Sequence, residues 1–96
     1  MKAYMMSFGK GLEPEASKDV YRKDIPGVLK ELESVWGEGA ILKTPSKVTK
    51  NRTYYKNVKV DVEFLKKSLS EDTLHLVHVL EGQPAGWVNI NPIMVV

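Results

Sequence analysis

Apolar residues recur along this chain with two different periods, and the changes between them mark its elements. Met1 to Phe8 is a short apolar run stopped by Gly9-Lys10-Gly11, which predicts a strand. Leu12 to Lys23 is polar. Pro14 followed by Glu15, Ala16 and Ser17 reads as the opening of a short helix with Val20 and Tyr21 inward, because proline is tolerated in a first turn. From Asp24 the period is helical. Ile25, Val28, Leu29, Leu32, Val35 and Trp36 make one stripe, and Lys30, Glu31, Glu33 and Ser34 fill the opposite face. Asp24 suits the N-cap, where its carboxylate accepts free backbone N–H groups. Gly37 suits the left-handed stop position. The spacing predicts a helix over 25–36.

Beyond Gly39 the texture becomes strand-like. Ala40-Ile41-Leu42 opens one strand, which Pro45 ends or confines to an edge, and Ser46 to Arg52 reads as a polar turn or loop. Val58, Val60, Val62 and Phe64 alternate with Lys59, Asp61 and Glu63, predicting a strand over 54–64. A competing pattern overlaps it: Asp61 as the cap of a helix through Leu65 and Leu69, which leaves 65–70 open. Thr73 to Leu80 is apolar on both faces and predicts a central strand. Residues 81–86 read as a turn, Trp87 to Ile90 as a strand and Ile93 to Val96 as a last short one after Pro92. The expected fold is a single α+β domain over 1–96, with one main helix on an antiparallel sheet of five or so strands. One helix covers one face at most, so the sheet is expected to curl into a half-open barrel.

Gly86-Trp87-Val88, followed by Asn91 and Ile93, resembles the last strands of SH3-like barrels, which run glycine, aromatic, aliphatic, short turn, final aliphatic strand. The resemblance covers the last third of the chain and implies architecture only. The aromatic pair of a proline-binding SH3 groove has no counterpart here.

Composition narrows the chemistry. Ninety-six residues support one modest core, and a large enclosed cleft would compete with it for apolar side chains. The absence of cysteine removes disulfides, thiol nucleophiles and cysteine-ligated metals. The apolar stretch after Lys2 is too short for a secretory leader, and the expected location is cytoplasmic. Net charge is only +2, but it is unevenly spread. Residues 1–40 carry −1, residues 61–96 carry −3, and residues 41–60 carry +6 with no acidic group.

That basic segment is the main functional candidate. Lys43, Lys47, Lys50, Arg52, Lys56 and Lys59 are interleaved with Tyr54 and Tyr55, a composition that suits phosphate neutralisation and base stacking or an acidic protein surface. The bland alternative is a solvated hairpin kept charged against edge-to-edge association. His75 and His78 are three apart, so in a strand they face opposite sides and cannot share a metal; the nearby carboxylates Glu71, Asp72 and Glu81 complete no ligand set. Asp61 and Glu63 share a face of the predicted strand with Lys59, which favours solvent-side charges over paired catalytic carboxylates. Trp36 and Trp87 read as core residues, or as binding anchors if exposed. No phosphate loop or nucleophile elbow is present.

The expectation is a small non-enzymatic binding module without cofactor or metal. It docks on a macromolecular partner through 43–59. A protein is slightly preferred, with an inhibitor or adaptor role, and nucleic acid bound without strong sequence specificity is the alternative. A second alternative is a small enzyme using Asp61, Glu63 or His75. The apolar end at 92–96 suggests an edge for pairing with a second copy.

Overall fold

A computed structural model describes residues 2–70 and 72–94. Met1, Glu71, Val95 and Val96 lie outside the described residues, and with them the two ends of the first and last predicted strands and one of the carboxylates weighed as a metal ligand. Among the described residues six strands and two helices follow in the order β1 (Lys2–Lys10), β2 (Lys18–Arg22), α1 (Ile25–Trp36), β3 (Ile41–Val48), β4 (Thr53–Lys59), α2 (Val62–Ser68), β5 (Leu74–Leu80) and β6 (Gln83–Met94). The strands form one antiparallel sheet of order β2-β1-β6-β5-β3-β4.

The expected curled barrel is overturned: the sheet is open, and both helices belong to one face. The physical reason is the second helix. With α1 and α2 side by side, the centre of one sheet face is buried without curling. Its core joins Tyr4, Met6 and Phe8 of β1, Val28 and Leu32 of α1, Leu42 of β3, Leu65 and Leu69 around α2, Leu74 and Leu76 of β5, and Val88 and Ile90 of β6. Neighbours along these strands, such as Ser7, His75 and Asn89, point the other way, as the two-residue strand period requires. The SH3-like ending fails too, because the turn it needs before a final strand is absent. Gly86 to Met94 is one continuous strand flanked by β1, and Pro92 lies past the β5 ladder, which begins with Leu74 opposite Ile90.

Three local expectations are corrected. The short helix read from Pro14 does not form: residues 14–17 bend into β2, in which Val20 turns to the core and Tyr21 to solvent. The strand over 54–64 ends at Lys59; the competing pattern is the one formed. Asp61 Oδ1 accepts the Phe64 N–H at 2.8 Å, and Leu65 and Leu69, one helical turn apart, are fully buried. The loop over 46–52 shrinks to a turn, because β3 continues past a bulge after Pro45 to Val48, opposite Thr53. The helix over 25–36 forms as expected: Asp24 Oδ1 caps Gly27 N–H at 2.8 Å, and Gly37 leaves the helix at φ 95°.

One carboxylate ties α1 to the outer strand β2. Glu31 is buried, yet it lies on the helix face that the sequence assigns to solvent. Lys18 Nζ donates to its Oε2 at 3.1 Å, and Arg22 donates to Oε1. Burial by itself raises the Glu31 pKa, but the hydrogen bond and charge of Lys18, together with those of Arg22, outweigh it and hold the group below its ordinary value of 4.5. A carboxyl group held low in the folded state stabilises the fold above its unfolded pKa, and that contribution disappears as the pH falls through the folded value. Because both cations are half-exposed, Glu31→Gln is expected to cost about 1–2 kcal/mol near neutral pH. In urea unfolding the gap between variant and parent should be widest near neutrality and close at pH values well below 4.5; a gap of constant size would show that charge is not the cause.

Candidate functional site

Two helices on one side leave the other face of the sheet bare, and the register sorts what stands there into rows. Asp19, Ser7, Asn89 and His75 are aligned across β2, β1, β6 and β5. The next row along runs Asn57, Lys43, Val77, Trp87 and Gly9 across β4, β3, β5, β6 and β1. The first row is polar. The second sets a tryptophan and a lysine on either side of a valine.

Gly9 is what lets Trp87 lie down. A Cβ at Gly9 would stand 2.0 Å from Trp87 Cε2, so the indole occupies the space above that glycine. From there Trp87 Nε1 donates to the Glu13 carbonyl at 2.7 Å. Gly11 N–H donates to the Ala85 carbonyl at 3.3 Å. These two bonds draw residues 11–14 over the end of β6, where they form a wall above the sheet. Leu12 in that wall is 82% exposed, a large apolar side chain offered to solvent.

Facing this wall is the β3–β4 hairpin. Its distal half stands clear of the core: residues 45–52 are exposed, and Thr49 Oγ1 accepts the Arg52 N–H and donates to the Arg52 carbonyl to close the turn. Between wall and hairpin lies a groove with β5 as its floor. A pocket of about 290 Å³ is lined by residues 11–14, Trp87, His75, Asn89, Val77 and Tyr55. It adjoins a larger hollow of about 530 Å³ against Lys43, Arg52, Thr53, Tyr54 and Val79, and the two share Leu12, Tyr55 and Val77.

Strand alternation divides the basic segment. Lys43 and Lys59 stand on the bare face with Tyr55, and Lys56 pairs with Thr44 on the helix side; past the bulge Lys47 pairs with Tyr54, whose ring lines the hollow beside Arg52. Lys50 and Arg52 are at the turn, and the Arg52 guanidinium lies 5.1 Å from the Tyr54 ring centroid. The ion pairs among the described residues are those of Glu31, so the six cations of 43–59 have no carboxylate partner there. No group of His, Asp and Glu that could hold a metal occurs among the described residues.

The remaining candidates are dispersed. His75 is on the bare face, its Nδ1 2.5 Å from Asn89 Oδ1 and its ring 6.3 Å from that of Trp87. His78 is on the helix side, 5.4 Å from the Trp36 ring. Asp61 is engaged as the α2 cap and Glu63 is exposed in the first turn of α2, so neither joins His75. Of the C-terminal run, Pro92–Met94 pair with β1 beyond the end of the β5 ladder, Val95 and Val96 lie outside the described residues, and the outermost strands of the sheet are β2 and β4. Among the described residues no helix is long and apolar enough to cross a membrane. Sequence reasoning missed Asn89 and Leu12. A polar Asn89 between Val88 and Ile90 carried a readable signal, an amide in an otherwise apolar alternation. Leu12 carried none, because only the fold brings it opposite Tyr55.

No protein-family model matches the chain, and no curated protein or solved structure matches it.

The seat of Trp87 gives a direct test of the wall. Gly9→Ala should displace the indole, break its bond to Glu13 and cost about 1–3 kcal/mol through overpacking. Faster amide exchange over 11–14, together with a shifted tryptophan emission, is the expected signature. Unchanged exchange would mean that Trp87 does not hold the wall.

Proposed function

We propose that the protein is a binding module whose working surface is the bare sheet face with its basic hairpin, and that it takes single-stranded nucleic acid without strong sequence preference. One juxtaposition carries this reading: Lys43 and Arg52, free of carboxylate partners among the described residues, line the same groove as Tyr55, which continues to Trp87. Flat rings beside uncompensated cations are what a strand of unpaired bases requires, because each base has a face to stack and each phosphate a charge to neutralise. A double helix would bury its bases away from such rings. The groove is also polarised. Its cations are on the hairpin side and Glu13 is on the wall side, which suits a backbone running along the hairpin with bases turned towards Trp87. With Arg52 the one arginine in the segment, bidentate reading of bases is weak and sequence preference is correspondingly low.

The sequence alone put a protein partner slightly ahead. The bare face moves the balance towards a nucleic acid strand, which uses rings set into a groove and uncompensated cations beside them at once.

Fluorescence anisotropy with labelled 12-mer DNA and RNA strands tests this reading. Affinity should fall by about 100-fold between 50 and 300 mM salt if about four phosphates are neutralised, at roughly 0.7 logarithmic unit of slope each. The combined reversal Lys43→Glu, Arg52→Glu and Lys59→Glu should lower affinity at least about tenfold at low salt, with an unchanged circular dichroism spectrum. Absence of binding at 50 mM salt overturns the proposal. Equal affinity for polyglutamate overturns it too, in favour of an acidic protein surface.

A further inference from the structure

The polar pair at the floor of the groove has hydrogen-bonding capacity that the protein does not use. His75 Nδ1 and Asn89 Oδ1 bond to one another at 2.5 Å. In that arrangement Nδ1 carries the proton, so the second ring nitrogen, Nε2, is an acceptor and the Asn89 amide nitrogen keeps its donors. If the amide is turned over, Nδ1 accepts instead, Nε2 carries the proton, and the Asn89 oxygen is the free acceptor. Either way the pair presents one donor and one acceptor side by side. Neither His75 nor Asn89 has a further side-chain hydrogen bond among the described residues, and no buried polar side-chain atom there is left without a partner. The spare atoms therefore reach solvent, and both residues line the pocket beneath Leu12.

We infer that this pocket is a subsite for a single planar heterocycle, a nucleobase, whose donor–acceptor edge is bonded by His75 and Asn89 while its face lies against Trp87. The inference rests on the nucleic-acid reading above and deepens it. Adjacent donor and acceptor groups are the common property of base edges, and a paired donor and acceptor on the protein matches them without choosing strongly among bases. The volume, about 290 Å³, is near the lower limit of roughly 300 Å³ for small-molecule sites, which suits one ring system and not an extended ligand. Trp87 is held in place on both sides, by Gly9 beneath it and by the Glu13 carbonyl at its nitrogen, so its ring meets a ligand preformed. Tyr55 and Leu12 close the pocket opposite, and Lys43 lies in the adjoining hollow, where the phosphate attached to that base would emerge.

The test uses the full chain in a Trp36→Phe background, so that emission reports Trp87 alone. Adenosine, cytidine, guanosine and uridine 5′-monophosphates are titrated beside ribose 5-phosphate. Saturable quenching by the base-bearing compounds, with none by ribose 5-phosphate, is the expected result. His75→Phe keeps a flat ring but removes both nitrogens, and Asn89→Ala removes the amide; each should weaken nucleotide binding by about fivefold or more while the thermal midpoint is kept. Equal quenching by ribose 5-phosphate would reduce the site to a phosphate contact and overturn the inference. Oligonucleotides that bind while mononucleotides do not, with affinity unchanged in His75→Phe, would also overturn it and leave the wider reading standing. Mononucleotides that bind where oligonucleotides do not would support the subsite and sink the wider reading.

Discussion

A two-residue period governs this molecule. In β1, β6 and β5 successive side chains must leave on opposite sides of the sheet, and the two helices cover only one of those sides. Tyr4, Phe8, Leu74 and Ile90, in phase with Met6, Leu76 and Val88, are drawn beneath α1 and α2, where burial removes them from water. Every residue out of phase is delivered to the bare face. Ser7, Asn89 and His75 stand in one row because Met6, Val88 and Leu76 are their buried neighbours in the chain. A slip of one residue would exchange the two sets, so the core specifies the groove as firmly as it specifies itself.

Two glycines couple the two faces. Gly9 and Gly86 lie on the neighbouring strands β1 and β6, and each makes room for an indole on its own side of the sheet. Trp87 rests over Gly9 on the bare face. Trp36 approaches Gly86 on the helix face, with its ring 5.6 Å from Phe8 and 5.4 Å from His78. The end of α1 and the wall of the groove therefore bear on the same short stretch of backbone from opposite sides. Large rings over positions without a Cβ are well seated, which is the condition for an aromatic surface that meets a ligand without rearranging.

The sheet's outer strands are protected by charge in two ways. On β2, Lys18 and Arg22 are turned inward to Glu31 and bind the strand to α1. On β4, Lys56 and Lys59 are solvated and point to opposite faces, which discourages pairing with another strand. Lys43 and Arg52 line the groove, and Lys59 stands on the same sheet face outside it.

Much of this was legible before any coordinates. Asp24, the stripe from Ile25 to Trp36 and Gly37 determine α1 unaided, because cap, period and stop are all local. The apolar run of β5 and the absence of acidic groups over 41–60 are equally direct, although the run did not show that only one face of β5 is covered by helices. Ambiguity arose where two local codes overlapped: residues 58–64 satisfy a strand period and a helix cap together, and only packing of Leu65 and Leu69 against the common core selects the helix. That choice supplied the second helix, and with it an open sheet in place of a curled one. The candidate site lay further out of reach. Its cations and tyrosines were visible as a run, but their division between faces follows from the β3–β4 register and its bulge. The meeting of Leu12, Tyr55, His75, Asn89 and Trp87 depends on strand order β6-β5-β3-β4, in which neighbours in space are distant along the chain. Local sequence sets period, caps and charge; long-range pairing alone decides which of those residues share a surface.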